Sequence, residues 1–360
     1  MRFLILVPFV LSSALIVAAS SQATPQSSAP SQSAANHRIQ LDVVVTDKSS
    51  KPVSGLQEQD FTILDDNTPA KITSFHVSEP GEPSDPPVQA IILLDAVNGS
   101  SQSVIFEAQQ VQKFLRQNNG QLPIPMSLVI FTDISTQIQN QTSRDGNVLA
   151  NQLGSNQPGL RSLRRSAGFW GASERLQLSL QAVERIAQYE EKREGRKLLI
   201  WISPGWPLLS GPGVQLTNRD ETMLFRSVVD FSQELRDARI TLYSLDPLGT
   251  NDAGSFRTFY YESFLKGVTS AQKVDGGNLA LQVLATQSGG LVLNSSNDLQ
   301  KLLAKPLADA KAFYTLSFDA SPADHPDEFH ALQVKVDKHG LTARTRTGYY
   351  AEPNAATSAP

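Results

Sequence analysis

The sequence predicts an α/β protein: a mostly parallel sheet with helices on both faces, plus a small β-sandwich formed by strands from both ends of the chain. Three observations predict it. Val88 and Ala90–Leu94 form an apolar run that only Gln89 interrupts, ending on Asp95. So short a run suits a strand buried on both faces and is too short to span a membrane. From Val88 to about residue 310, strand-like and helix-like segments alternate, as parallel strands require because each pair needs a crossover. Before Val88 and after residue 311 the chain instead carries short segments separated by turn clusters.

In chain order, Arg2 precedes an apolar run from Phe3 to Ala19, and Ser21-Gln22-Ala23 supplies the small residues of a secretory cleavage site. Residues 1–23 therefore read as a signal peptide, with the mature chain starting near Thr24. A retained amino-terminal anchor is the alternative, although the run is short for a bilayer. Residues 24–37, rich in Ser, Ala, Pro and Gln, read as a flexible leader. Ile39–Thr46, Phe61–Leu64 and Ile72–Val77 are expected strands within 38–79, with a strong turn cluster at Asp65–Pro69. Residues 80–87 hold Pro80, Pro83, Pro86 and Pro87, a linker that cannot extend a sheet.

The α/β domain is expected over 88–310. After Asp95, the polar run Asn98–Ser103 offers side-chain oxygens to cap a helix carrying Val104, Ala108, Val111 and Leu115 at helical spacing. Ile124–Phe131 is a second buried strand, ending in Thr132-Asp133. Past a long polar stretch, a helix from about Ser173 to Tyr189 stripes Leu176, Leu180, Val183 and Ala187 along one face. Further strands are expected at Leu198–Ile202, Ile240–Leu245, which ends on Asp246, and Leu291–Leu293. Helices are expected near Asp220–Arg236, Asn278–Gln287 and Asn297–Ala310. Residues 311–350 return to alternating patterns at Ala312–Phe318, Phe329–Val336 and Leu341–Thr347. Three such strands are too few for a core of their own, so they are expected to pack with the strands of 38–79. Residues 351–360 read as a tail.

Composition narrows the function classes. The net charge of -4 gives no reason to expect nucleic acid or an anionic membrane as partner. With no Cys there is no disulfide, thiolate metal site or lipid attachment. The His residues, His37, His76, His325, His330 and His339, all fall outside 88–310, so a Ser-His-Asp or Cys-His arrangement at its sheet edge is not expected. No GxSxG elbow or phosphate loop is present. Asp65-Asp66 and Glu190-Glu191 read as solvated charges rather than a catalytic pair. The chain is read as a non-enzyme, with a hydrolase of unknown substrate as the alternative class.

The segments VTDKSSKPVSGLQEQDFTILDDNTPAKITSF, VQAIILLDAVN, RKLLIWISPG, YTLSF and LTARTRTGYY resemble the von Willebrand factor A fold, and more closely the VWFA-related family described from Acidobacteria. The likeness runs from about Ile39 to Tyr350. It implies a Rossmann-like sheet, an exported protein and commonly a metal-ion-dependent adhesion site, built from Asp-x-Ser-x-Ser plus a Thr and an Asp from later loops. Here Asp95 fits the leading Asp, but Val97 and Gly99 stand at the two Ser positions. Pro204 stands where a later carboxylate belongs, and Ser173 lies nearest the expected Thr. A hard cation wants several oxygen ligands, so the edge reads as metal-free. Were Mg²⁺ to bind, the oxygens on offer are Asp95, Ser100, Asp133 and Asp246. Otherwise Asp95 reads as a loop-bracing or helix-capping carboxylate.

Aromatic residues gather in the segments expected to leave the carboxyl ends of the strands. They are Phe169, Trp170, Trp206, Phe256, Phe259, Tyr260 and Tyr261, with Arg161, Arg164 and Arg165 nearby. Such residues dominate protein interfaces. A rim of Asn98, Phe169, Trp170, Ser203, Trp206, Tyr260 and Tyr261 is the expected site for a protein or cell-surface ligand, and the alternative is that the aromatics fold inward over the sheet edge. The expected location is periplasmic or extracellular.

Overall fold

Val88–Asp95 (β5) is buried at every position except Gln89. Its residues divide between two cores: Ala90, Ile92 and Leu94 face one, Ile91 and Leu93 the other. A strand with two apolar faces must be covered on both sides, which places it inside a sheet. It pairs in parallel with Gln121–Phe131 (β6) and with Arg196–Ile202 (β9). Ile240–Leu245 (β10) and Val292–Leu293 (β11) continue the parallel set beyond β9. In this computed structural model, which describes residues 38–79, 87–155, 168–209, 215–248 and 260–353, the chain is therefore α/β with a mixed, mostly parallel sheet.

The sheet has seven strands rather than the five expected. Thr136–Ile138 (β7) and Ser143–Asp145 (β8) both add antiparallel to the outer edge of β6. Each is three residues long, too short to carry a period-two pattern to be read. They lie with Gly146–Ser155 (α2) in what reads as a featureless polar stretch.

One face of the sheet packs Ser101–Leu115 (α1), α2 and Leu299–Asp309 (α6); the other packs Gly168–Glu191 (α3), Asn218–Asp237 (α4) and Leu281–Gln287 (α5). Each buried Leu, Val or Ile of these stripes contributes roughly 1.5–3 kcal/mol. Helix α3 starts earlier than its apolar stripe suggests, because Gly168, Phe169 and Trp170 lie outside the core and carry no inward periodicity.

Two four-stranded antiparallel sheets make up the rest. Arg38–Thr46 (β1) pairs with Phe313–Asp319 (β12), flanked by Ile72–Ser78 (β4) and Thr342–Arg344 (β14). Phe61–Asp65 (β2) pairs with Glu328–Val336 (β13), flanked by Thr68–Ala70 (β3) and Gly348–Ala351 (β15). The β2–β3 loop has Asp66 at φ 46° and Asn67 at φ 65°, a two-residue turn with both residues left-handed. Leu41, Val43, Ile63, Tyr314, Leu316, Leu332 and Tyr349 fill a core shared by both sheets. The segment Leu341–Thr347 is not one strand: β14 joins the first sheet, the chain crosses at Thr345–Thr347, and β15 joins the second.

Charges bind these sheets to the α/β layer. Asp42 of β1 accepts from Arg239 (2.7 Å) and from the Thr315 hydroxyl (3.1 Å), and lies 3.8 Å from Arg196. Arg196 also donates to the carbonyl of Asp309 (3.1 Å) and sits 4.6 Å over the Phe313 ring. Asp309 in turn accepts from Tyr243 (2.8 Å) and from Arg344. Removing one member of a buried pair leaves the other uncompensated, which costs about 3–5 kcal/mol. Asp42→Ala is therefore expected to lose about that much stability in denaturant unfolding. Asp319→Ala, which breaks the exposed Arg38–Asp319 pair, should cost less than about 1 kcal/mol; equal losses would refute a special place for Asp42.

Candidate functional site

The carboxyl edge of the parallel sheet is built on Asp95. Its side chain is fully buried. Oδ1 accepts from the backbone N–H groups of Val97 and Asn98, both at 2.9 Å. Oδ2 accepts from Asn98 Nδ2 (2.8 Å) and Trp201 Nε1 (2.9 Å). These four donors brace the carboxylate on both of its oxygens. Burial pushes the Asp95 carboxyl above its ordinary value, against the pull of Asn98, Trp201 and Ser203.

The bonds radiate from this point. Asn98 Nδ2 also donates to Ser179 Oγ of α3 (2.9 Å), and Ser179 Oγ donates to the Arg175 carbonyl (2.8 Å). Trp201 packs edge-on against Phe131 (5.7 Å) and Trp206 (5.1 Å). Ser203 is buried, and its Oγ accepts from the Gly205 N–H (3.1 Å).

Ser100 caps α1, its Oγ accepting from the Ser103 N–H. Asp133 is exposed, and Asp246 turns an oxygen to the Leu248 N–H (3.0 Å). Among the described residues, the group of three acidic or His side chains whose ligand atoms lie within 4.8 Å of one another is Asp65, Asp66 and His330, in the second antiparallel sheet. Asp95, Asp133 and Asp246 are not in a group of this kind among the described residues.

The expected rim divides in two. Asn98, Ser203 and Trp206 lie inside the protein, with Trp206 only 5% exposed. For Trp206 this is a correction: its ring is held against Trp201 by the turn at Gly205, which adopts φ +98°. Tyr261 is half-buried in the 3-10 turn Tyr260–Phe264. The side chain of Tyr260 lies outside the description, as do Phe256, Phe259, Arg161, Arg164 and Arg165, the proposed leader and most of the Pro-rich linker. Phe169 (54% exposed) and Trp170 (81%) face solvent as an edge-to-face pair, 5.9 Å apart.

Helix α3 explains their position. It runs antiparallel to β5: Ser179 meets Asn98 beyond the strand's end, and Glu190 accepts from Gln89 (2.6 Å) near its start. The first turns of α3 therefore lie toward the carboxyl edge of the sheet, with Gly171 and Leu176 still buried. Ile134, 82% exposed, follows β6 at the same edge, where Ile105 and Met223 also surface near the starts of α1 and α4.

Sequence reading missed Glu107. It lies on the buried stripe of α1 between Val104 and Val111, and neither carboxyl oxygen has a partner among the described residues. Its i+3, i+4 spacing from Val104 and Val111 was the available signal. Burial, and then the charges of Asp95 and Asp246, push its carboxyl up to about 9.

No family model matches the chain, and no curated protein matches it. Solved structures overlap it loosely. An aerotolerance-related membrane protein from Bacteroides fragilis is 12% identical, covering 61% of this chain and 97% of its own, at a TM-score of 0.34. The pilus adhesin SpaC from Lactobacillus rhamnosus GG is 11% identical over 84% of this chain and 49% of its own, at 0.38. The PilB minor pilin from Streptococcus sanguinis is 9% identical over 62% and 61%, at 0.33. No helix among the described residues is long and apolar enough to cross a membrane.

Glu107 makes stability pH-dependent. Between its unfolded value near 4.5 and its folded value near 9, the folded chain holds a proton that the unfolded chain has released. Stability therefore falls as pH rises through that window, by at most about 1.4 kcal/mol per unit. Glu107→Gln keeps the neutral shape at every pH. Denaturant unfolding at pH 6 and pH 8 should show the variant losing less stability than the parent; parallel losses would exclude Glu107 as the source.

Proposed function

We propose that this chain is an exported, non-enzymatic module with a von Willebrand factor A-like sheet, which binds a protein ligand at the carboxyl edge of that sheet without a metal ion. The observation that carries the reading is the Phe169–Trp170 pair, exposed at the start of a helix that lies toward the sheet's carboxyl edge. Large exposed aromatics are costly to leave in water and are the residues most often dominant in protein interfaces. Ile134 extends the apolar character of the edge. The Asp95 network supplies a rigid base beneath it, so little ordering of the scaffold opposes binding. The periplasm or cell exterior is the proposed location, supported by the apolar run Phe3–Ala19 followed by Ser21-Gln22-Ala23.

Two measurements test the reading. Phe169→Ser/Trp170→Ser removes only exposed surface, so its stability should change by less than about 1 kcal/mol. Its affinity for a captured envelope or surface protein should fall at least about 30-fold, the equivalent of losing one hot spot of 2 kcal/mol; undiminished affinity in a folded variant would remove the rim from consideration. Thermal unfolding in Mg²⁺, Mn²⁺ or Ca²⁺ should match that in chelator, because an ion that binds the folded state must raise its stability. A cation-dependent rise that Asp95→Ala abolishes would instead establish metal-dependent adhesion.

A further inference from the structure

Asp65 and Asp66, which read from sequence as solvated turn charges, meet different environments. Asp65 ends β2 and is only 2% exposed, whereas Asp66, in the left-handed turn that follows, is exposed. Three strands converge on them. Leu332 of β13 is paired with Asp65, which puts His330, two residues earlier on the same face, beside that carboxylate, and Tyr349 of β15 is paired with His330. His330 Nδ1 lies 3.1 Å from Asp65 Oδ1 and 3.8 Å from Asp66 Oδ2.

Hydrogen bonds aim the group. The Tyr349 hydroxyl (2.9 Å) and the Ser321 N–H (3.3 Å) donate to Asp65 Oδ2, leaving Oδ1 toward the imidazole. The Ala331 N–H (2.8 Å) holds Asp66 Oδ1, which leaves Oδ2 toward the same ring. Asp65, Asp66 and His330 each offer one ligand atom, and these atoms lie within 4.8 Å of one another. Ligands about 2.0–2.2 Å from a common ion stand roughly 3–3.6 Å apart, so small side-chain adjustments close the group on a cation.

Two further observations point to a ligand. Among the described residues, the ion-pair partner of both carboxylates is this one imidazole, so even a protonated ring leaves one of two negative charges without a counter-charge. Asp65 holds its charge inside the protein, where an unbalanced carboxylate is costly. His330 Nε2 is buried and has no hydrogen-bond partner among the described residues. Whichever ring nitrogen carries the proton, Nε2 is left unsatisfied, a cost that the hydrogen bonds of the group do not remove.

We propose that Asp65, Asp66 and His330 form a Zn²⁺ site, with Asp65 Oδ1, Asp66 Oδ2 and His330 Nδ1 as ligands and water completing the shell on the exposed side of Asp66. The residue types choose the metal. An imidazole suits zinc better than Mg²⁺ and Ca²⁺, which prefer oxygen ligands, and zinc outcompetes Mn²⁺ at a mixed nitrogen and oxygen site. The Tyr349 hydroxyl orients Asp65 from behind, as outer-shell donors to ligating carboxylates do. A bound ion would tie the β2–β3 turn to β13. The proposal is independent of partner binding at the rim.

Zn²⁺ itself is the probe, added to the chain after it has been stripped with chelator and returned to metal-free buffer. Calorimetric titration should show one Zn²⁺ bound per chain, and saturating Zn²⁺ should raise the unfolding temperature by at least about 2 °C, while Mg²⁺, Mn²⁺ or Ca²⁺ at the same concentration leaves it unmoved. Asp66→Asn preserves the turn, because Asn tolerates the left-handed backbone, and keeps an acceptor for the Ala331 N–H. It should unfold in chelator at the parent temperature and bind Zn²⁺ at least about tenfold more weakly. His330→Gln should abolish binding, and Asp66→Asn decides the matter if His330→Gln does not fold. Asp133→Asn, which removes an exposed acid of the sheet edge, should keep the full response. No Zn²⁺ response in the parent chain, an equal rise with Mg²⁺, a response undiminished in Asp66→Asn, or one lost in Asp133→Asn would overturn the proposal.

Discussion

A single buried carboxylate organises the working end of this molecule. Asp95 arrives at the end of a strand with apolar neighbours on both faces, where an unsatisfied charge would be untenable. Backbone N–H groups of the following turn, the Asn98 amide and the Trp201 indole surround it. Each partner is thereby fixed in turn: Asn98 holds Ser179 and the level of α3, and Trp201 sets the wall against which Trp206 and Phe131 pack. That anchorage at Ser179 directs the start of α3 toward the carboxyl edge, where Phe169 and Trp170 are exposed while Gly171 and Leu176 remain buried.

Glu107 shows the opposite situation, an ionisable group taken inside without a hydrogen-bond partner among the described residues. It resolves the conflict by keeping its proton, which its burial beside Asp95 and Asp246 favours. The seam between the antiparallel sheets and the helical layer is well compensated, Asp42 and Asp309 each serving more than one cation. That compensation attaches the antiparallel sheets to the helical layer as one framework and holds the crossing strand segment close to α4.

Much of the architecture was legible because it rests on simple periodicities. The apolar run at Ala90–Leu94, the stripe Val104–Ala108–Val111–Leu115 and the turn at Asp66-Asn67 each have one inexpensive conformation. Strands β7 and β8 were not legible, since three residues bear no period and pair because β6 offers an open edge. Likewise the break within Leu341–Thr347 escaped notice: its alternation continues through a point where the chain leaves one sheet for another, and that crossing is what turns Arg346 inward.

The site was legible only in part, and aromatic residues show why. Trp170 and Trp206 have the same chemistry and both lie near the carboxyl edge, yet one is 81% exposed and the other 5%. Nothing local distinguishes them; the difference arises from the left-handed turn at Gly205 and the presence of Trp201 to receive the second ring. Sequence alone determined the longer apolar strands and striped helices, that β5 is central, and that a carboxylate ends it, because those depend on backbone propensity and the burial of contiguous apolar groups. Tertiary structure alone decided which polar groups that carboxylate binds, which aromatics meet water and which charges remain uncompensated, because each depends on atoms brought together from distant parts of the chain.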